Sequence, residues 1–412
     1  MDSVKKSIKK PLALKDAIKL TKDKAINDKL LKPQKPLTFG IEFEFVVEIG
    51  EDDKAKMKTE NLKLTPQDYT KVRKYVASML SPVMKHKTRT TYSKIQENGI
   101  PDFSTWYVTV DGTIEKRRSR KQLSYPIELI SPALDFSNNS ICEVEKACKA
   151  ITNGCHVDVN KSCGLHVHIG NHDNDLKWED MRKFVAIVWT FEPHIVQIHP
   201  TNRHTKVQCC IIRERYLNKD EKDPNVIDDP KVAMKKIMRY KSLIELKQEH
   251  EVDHVCAYNL GKLITPPEGE NADPISYPPG LTANKTGKTI EFRQHRATLN
   301  TEETISWLHL CAGLYKLAQA LDDASLEALL EIWVDVLPDA KLQGLDYIIR
   351  NILCLPKVAD FYKARGVVND DDEPTEAIPI ENGEAGRPQE RRFDEITEAV
   401  VTFEQLDLNA QD

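Results

Sequence analysis

Alternation of apolar and polar side chains is the most regular feature of this chain. In Leu37-Thr-Phe-Gly-Ile-Glu-Phe-Glu-Phe-Val-Val47 the two kinds exchange residue by residue, the period-2 pattern of a strand with one buried face. Similar short runs occur at 125–130, 157–159, 165–169 and 289–295, and 255–260 reads as extended. Residues 106–110, then Asp111-Gly112 and 113–115, predict a hairpin turned by Asp-Gly. Helical periodicity starts at Thr65-Pro66 and runs to Leu80, and a capping box of Ser140 and Glu143 predicts a helix to about Asn153. Further helices are expected over 176–199 with a bend at Pro193, over 229–250, and from Asn300, paired with Glu303, to about Leu321. Two shorter ones follow at 325–337 and 339–354.

Three stretches are predicted by composition. Residues 1–36 form a Lys-rich arm, solvated or loosely packed; 37–365 form the main body; 366–412 form an acidic tail. Within the tail, 369–390 is rich in Pro and Gly and reads as a disordered linker before an amphipathic segment at 393–403. The Pro-rich stretch 266–279 reads as a loop.

With 412 residues, 40% hydrophobic and 30% charged, the chain has the composition of an ordinary globular protein able to bury a large core. A net charge of -5 disfavours nucleic acid as its main partner. No apolar run approaches 18 residues, which disfavours a membrane span. The N-terminal residues lack a secretory pattern, and nine scattered cysteines fit reduced thiols, so a cytoplasmic location is expected.

Candidate chemistry sits on the polar faces of the strands. In Gly40-Ile-Glu-Phe-Glu-Phe45, Glu42 and Glu44 share one face and Ile41, Phe43 and Phe45 the other. In Cys163-Gly-Leu-His-Val-His-Ile-Gly170, His166 and His168 share a face; in Thr289-Ile-Glu-Phe-Arg-Gln-His295, Glu291, Arg293 and His295 oppose Ile290 and Phe292. Glu128 stands amid apolar neighbours. Taken singly, each motif is more often the wet face of an antiparallel sheet. Four together gather carboxylates, imidazoles and a guanidinium, a concentration that metal ions and phosphates would balance. Hard oxygen ligands suit Mg²⁺, and carboxylates around Mg²⁺ can cradle the phosphates of ATP. Gly287-Lys-Thr289 lacks the upstream glycine of a P-loop and leads into a strand.

Gly40-Ile-Glu-Phe-Glu-Phe45, the Asp111-Gly-Thr113 segment, Glu128-Leu-Ile-Ser-Pro132, Cys163-Gly-Leu-His-Val-His-Ile169 and Glu291-Phe-Arg293 resemble, in order and rough spacing, the amidoligases. These belong to the glutamine-synthetase-like carboxylate–amine ligases, beside the γ-glutamylcysteine synthetases. The resemblance spans about residues 37–320. It implies an α+β fold: a curved antiparallel sheet with helices on its outer face and ATP with Mg²⁺ in the concave side. It further implies that Glu42, Glu44, Glu128 and Glu291 bind metal, that His166 contacts phosphate or metal and is catalytic, that His168 takes part in cofactor binding, and that Arg293 contacts the phosphate being transferred. Asp111 would orient a metal or the amine, and Arg203, in Pro200-Thr-Asn-Arg203, matches a site arginine. Tyr258-Asn259 matches a family pair without an assigned role. Where relatives often have Ser, this chain has Thr113, which keeps the hydroxyl.

The implied reaction is amide formation between a small-molecule or peptide carboxylate and an amine, through an acyl phosphate made from ATP. Loops at 200–225 and 261–288 are candidate lids. Two other readings stay open: a hydrolase with zinc on His166 and His168, and a binding protein that keeps the fold without the reaction. The substrates and the oligomeric state are not legible.

Overall fold

Phe39, Ile41, Phe43, Phe45 and Val47 are all buried on one side of a single long strand, β1 (Thr38–Ile49), around which the rest of the chain is organised. The structure, a computed structural model, describes residues 11–22, 36–59, 62–90, 103–116, 123–171, 176–203, 209–213, 229–249, 256–263 and 288–368. Its strands are β1, β2 (Thr88–Arg89), β3 (Trp106–Thr109), β4 (Leu123–Ile130), β5 (Leu134–Asp135), β6 (His156–Asp158), β7 (Gly164–Gly170), β8 (Tyr258–Asn259) and β9 (Ile290–Arg296). They form one sheet in the order β2-β3-β4-β1-β7-β9-β8, with β5 and β6 also pairing with β1. Among the described strands every pairing is antiparallel except β2 with β3.

The helices are α1 (Leu14–Lys22), α2 (Glu51–Lys56), α3 (Pro66–Leu80), α4 (Asn138–Gly154), α5 (Trp178–Ile195), α6 (Pro230–Ile237), α7 (Leu243–Glu249), α8 (Thr301–Ala320), α9 (Asp323–Trp333), α10 (Gln343–Tyr347) and α11 (Pro356–Arg365). The expected α+β architecture is present, with helices packed on one face of the sheet. Phe184 of α5 meets Phe292 of β9 edge-to-face with ring centroids 5.6 Å apart, and Phe292 meets Trp307 of α8 at 6.1 Å. Such aromatic pairs contribute about 0.5–1.5 kcal/mol beyond the area they bury. None of the described helices is long and apolar enough to cross a membrane.

Several boundaries follow directly from capping chemistry. Thr65 accepts from Asp68 N at the start of α3, with Pro66 in the first turn, and Asn300 accepts from Glu303 N at the start of α8. Others differ from expectation. The cap of α4 is Ser137, which accepts from Ser140 N, rather than Ser140. Glu143 is instead turned inward, accepting from Trp106 Nε1 and His86 N. Asp111-Gly112 makes no hairpin, because β3 pairs with β4 in the register Val108↔Leu129 and residues 113–115 form no strand. Among the described residues 256–260 only Tyr258–Asn259 pairs as a strand; Cys256 makes an isolated bridge to Cys210. The 229–250 helix is split into α6 and α7. The stretch 339–354 breaks into α10 and a π-helical turn, Ile348–Ile352, and α11 is an element the periodicity does not predict.

The N-terminal segment is not wholly loose. Ala17 and Thr21 of α1 are buried, Leu14 and Ile18 pack on the core, and Trp333 Nε1 donates to Thr21 Oγ1 at 2.9 Å. The Pro-rich loop at 266–279, the acidic stretch 369–390 and the segment 393–403 lie outside the described residues, as do most of the two candidate lids.

Candidate active site

On the face of β1 away from the helices, Glu42 and Glu44 are two residues apart, and the neighbouring strands bring partners to both. Glu42 stands across from His166 of β7, and Glu44 across from Glu128 of β4. His168 stands across from Glu291 of β9, and Glu291 in turn across from Asn259 of β8. Sequence-distant segments therefore converge through backbone register alone. Glu42, Glu44, His166, His168 and Glu291 are all buried, although each carries a polar group.

Burial of so many ionisable groups is sustained by close pairing. His166 Nδ1 lies 3.2 Å from Glu42 Oε2 and 3.8 Å from Glu291 Oε1, while its Nε2 lies 3.6 Å from Glu44 Oε1. His168 Nε2 lies 3.3 Å from Glu42 Oε1, and its Nδ1 is 3.0 Å from Thr289 Oγ1. Glu44 Oε2 accepts from the backbone N–H of Gly164 at 2.7 Å. Asn259 Nδ2 donates to Glu291 Oε2 at 2.7 Å, and Arg293 Nη1 donates to Glu291 Oε1. One ligand atom from each of Glu42, His168 and Glu291 lies within 4.8 Å of the other two, a convergence that can hold a metal ion.

The electrostatics derive from these neighbours. Burial raises the Glu44 carboxyl; His166, the Gly164 N–H and Arg203 hold it back, and Asp111 pushes it further up. Burial works against the charge of Arg293, but Glu291 and Glu42 leave its guanidinium above its ordinary value. Cys163, beside the site, is pushed up to about 12, chiefly by burial, so its thiol is no nucleophile at neutral pH.

One expectation for β9 fails. Glu291, Arg293 and His295 do not share a face, because the β7–β9 register shifts between Leu165 and Val167: Val167 opposes Phe292, but Leu165 opposes His295. Two residues, Arg293 and Gln294, thus oppose His166, a β-bulge that reverses the facing of the residues beyond it. His295 is turned to the core side, fully buried, with its ring 5.1 Å from Trp307. Its Nε2 lies 3.6 Å from Glu303. Arg293 remains half-buried at the site.

Residues 35–315 match the family described as "Putative amidoligase enzyme". The chain belongs to the amidoligase family. No curated protein matches the chain. Among solved structures, one that resembles it is a bifunctional glutathione synthetase from Pasteurella multocida, at 8% identity with a TM-score of 0.34. That alignment covers 96% of this chain and 55% of the other, so the amidoligase spans little more than half the length of that protein.

The remaining expected residues of the amidoligase lie around this centre. Arg203 is buried, its Nη2 donating to the carbonyl of Arg293 at 2.6 Å. Asp111 sits at the rim, half-buried, where it accepts from Thr113 N and Thr113 Oγ1 at 2.6 and 2.7 Å. That turn engages the hydroxyl that Ser or Thr supplies at 113. Glu128 is half-buried opposite Glu44.

Three further contributors emerge only in the structure. Gly164 is required by space: a Cβ there would stand 2.6 Å from Arg203 Nη2 and 2.8 Å from His166 Nε2. Asn259, which has no role in the sequence pattern, braces Glu291. Thr289, expected only as a strand residue, holds His168. Asn259 acts through pairing with Glu291 and Thr289 from just before β9; the sequence offers the Tyr258-Asn259 pair without a role and nothing for Thr289, whereas the Gly164 signal is present in the Cys163-Gly-Leu-His motif.

Proposed function

We propose that the chain is an ATP- and divalent-cation-dependent ligase that joins a carboxylate to an amine through an acyl phosphate. The observation that carries this reading is the convergence of Glu42, His168 and Glu291 beside Arg293. The donor set fits a hard divalent cation: two carboxylates and one imidazole, the latter with Nε2 buried and without a hydrogen-bond partner. Glu42, Glu291 and His168 would hold the ion, with Glu44 and Glu128 offering carboxylates on the adjoining ladder. When bound, ATP and the cation supply the activation, by turning a carboxylate oxygen into a phosphorylated leaving group.

The chain's own residues bind, orient and move protons. Arg293 and Arg203 bring two guanidiniums to a cluster that otherwise carries only carboxylates and imidazoles, and are suited to charge developing on a phosphoryl group. Asn259 fixes one oxygen of Glu291 and Arg293 the other, which sets the carboxylate plane. Gly164 donates to Glu44 and, having no side chain, lets Arg203 and His166 approach. His166, between Glu42 and Glu44, is placed to take a proton from an attacking amine. The nine cysteines are all free, in keeping with a reduced, cytoplasmic setting.

A zinc hydrolase would need both imidazoles on one ion. Each ring nitrogen of His166 faces a carboxylate instead, which favours the ligase.

The test is nucleotide binding followed by turnover. ATP with Mg²⁺ should raise the melting temperature, and ATP with EDTA should not. Sustained ADP formation should then require a carboxylate and an amine supplied together from a panel of amino acids and peptides, the carboxylate alone giving at most about one ADP per active site. No thermal shift at millimolar nucleotide, or stoichiometric zinc in protein purified without it, rejects the proposal.

A further inference from the structure

We infer that Thr289 is a positioning residue for cation binding: its hydroxyl holds Nδ1 of His168 so that Nε2 presents a lone pair to the ion shared with Glu42 and Glu291. The inference rests on reading this cluster as a cation site.

A neutral imidazole has one N–H and one lone pair, and the partner of one nitrogen decides what the other can do. His168 Nδ1 lies 3.0 Å from Thr289 Oγ1. If Nδ1 carries the proton and donates to that oxygen, Nε2 is left with the lone pair. The surroundings of Nε2 agree. It is buried and lies 3.3 Å from Glu42 Oε1, yet it is not aligned to donate to that oxygen. In this geometry a proton on Nε2 would be buried without an acceptor, whereas a lone pair facing a carboxylate oxygen is relieved by a cation bound to both. His166 differs, because carboxylates face both of its nitrogens. Of the two histidines on β7, His168 is therefore the ligand.

The place of Thr289 is built by the sheet. His168 pairs with Glu291 and Ile169 with Ile290, where the ladder ends; Thr289 stands just before β9, beside Gly170. A Cβ on Gly170 would come within 3.2 Å of Thr289 Cγ2 and 3.0 Å of Thr38 Oγ1. The glycine leaves the room in which the threonine side chain sits beside the ring. Partners of this kind, bonded to the non-ligating nitrogen, typically contribute about 10–100-fold to metal affinity.

The experiment uses Mn²⁺ as the probe on the full chain. Free Mn²⁺ measured by electron paramagnetic resonance gives affinity, and pulsed measurements detect ¹⁴N coupling from a directly bound imidazole. Wild type should bind Mn²⁺ with ¹⁴N coupling, and His168→Gln should lose the coupling. Thr289→Val should weaken Mn²⁺ about 10–100-fold, Thr289→Ser should restore most of the affinity, and Gly170→Ala should weaken binding by crowding the hydroxyl. Thr289→Ala serves if the valine variant does not fold. Wild type that binds Mn²⁺ without nitrogen coupling, or Thr289 variants with unchanged affinity, overturns this inference and leaves the cation site standing. Wild type that binds no Mn²⁺ overturns both.

Discussion

Glu44 and Glu128 stand directly opposite each other across the β1–β4 ladder. Like charges in that relation are destabilising by roughly 0.2–1 kcal/mol. Glu44 is buried, so its repulsion is poorly screened. In EDTA, Glu128→Gln should therefore unfold at a slightly higher temperature than wild type. With Mg²⁺ and ATP the order should reverse, because the variant has lost a carboxylate that offsets bound charge. Thermal unfolding in the two buffers checks this, and a variant that is less stable in both removes Glu128 from the site.

Gly164 lies where three site groups meet, so the smallest possible side chain should disturb function more than folding. Gly164→Ala puts a methyl within 2.6 Å of Arg203 Nη2. The expected result is a fall of at least about tenfold in nucleotide affinity or turnover, with a modest change in melting temperature. Titration calorimetry beside thermal unfolding separates the two effects. Equal losses in both would make Gly164 a packing residue.

Glu291 and Arg293 should fail in different ways. Glu291→Gln weakens a cation ligand, so the Mg²⁺ concentration needed for half-maximal ADP formation should rise. Arg293→Lys keeps the charge and loses the planar fork, so kcat should fall by about one to three orders of magnitude while nucleotide binding persists. Single-turnover ADP formation and direct nucleotide titration distinguish these outcomes. Normal turnover in Arg293→Lys contradicts a transition-state contact.

His194, His295 and His309 are each lowered to about 4, chiefly by burial. Their folded values lie below the unfolded value near 6.5, so the unfolded chain binds protons first as pH falls. Their stabilising contribution is complete above about pH 6.5 and is withdrawn between there and about pH 4. At about pH 5 each withdraws roughly 2 kcal/mol, from about 1.4 kcal/mol per pH unit. Denaturant midpoints should fall steadily from about pH 7 to about pH 5, and His309→Asn should flatten the slope. A midpoint independent of pH over that range contradicts the assignment.

The period-2 strands are legible in the sequence because one face of each is core: Ile41, Phe43 and Phe45, or Leu165, Val167 and Ile169, mark the pattern whatever the partner. The carboxylates and histidines of those strands are legible for the same reason. The bulge in β9 is not, since Glu291, Arg293 and His295 alternate perfectly and only the residue count of β7 reveals the slip. Glu143 fits a capping box by spacing, but the demand of a buried Trp106 N–H for an acceptor wins. The packing of α1 is hidden because its partner Trp333 lies 312 residues further along from Thr21.

That separation has a kinetic consequence. At synthesis rates of about 5–20 residues per second, Trp333 leaves the ribosome roughly 15–60 s after Thr21, 312 residues behind it. Over that interval strands β1 to β9 are delivered in turn, the last of them ending at Arg296, before Trp333. The contact of α1 with Trp333 can therefore form only after every strand of the sheet has been delivered, and it closes a loop that spans nearly the whole described chain.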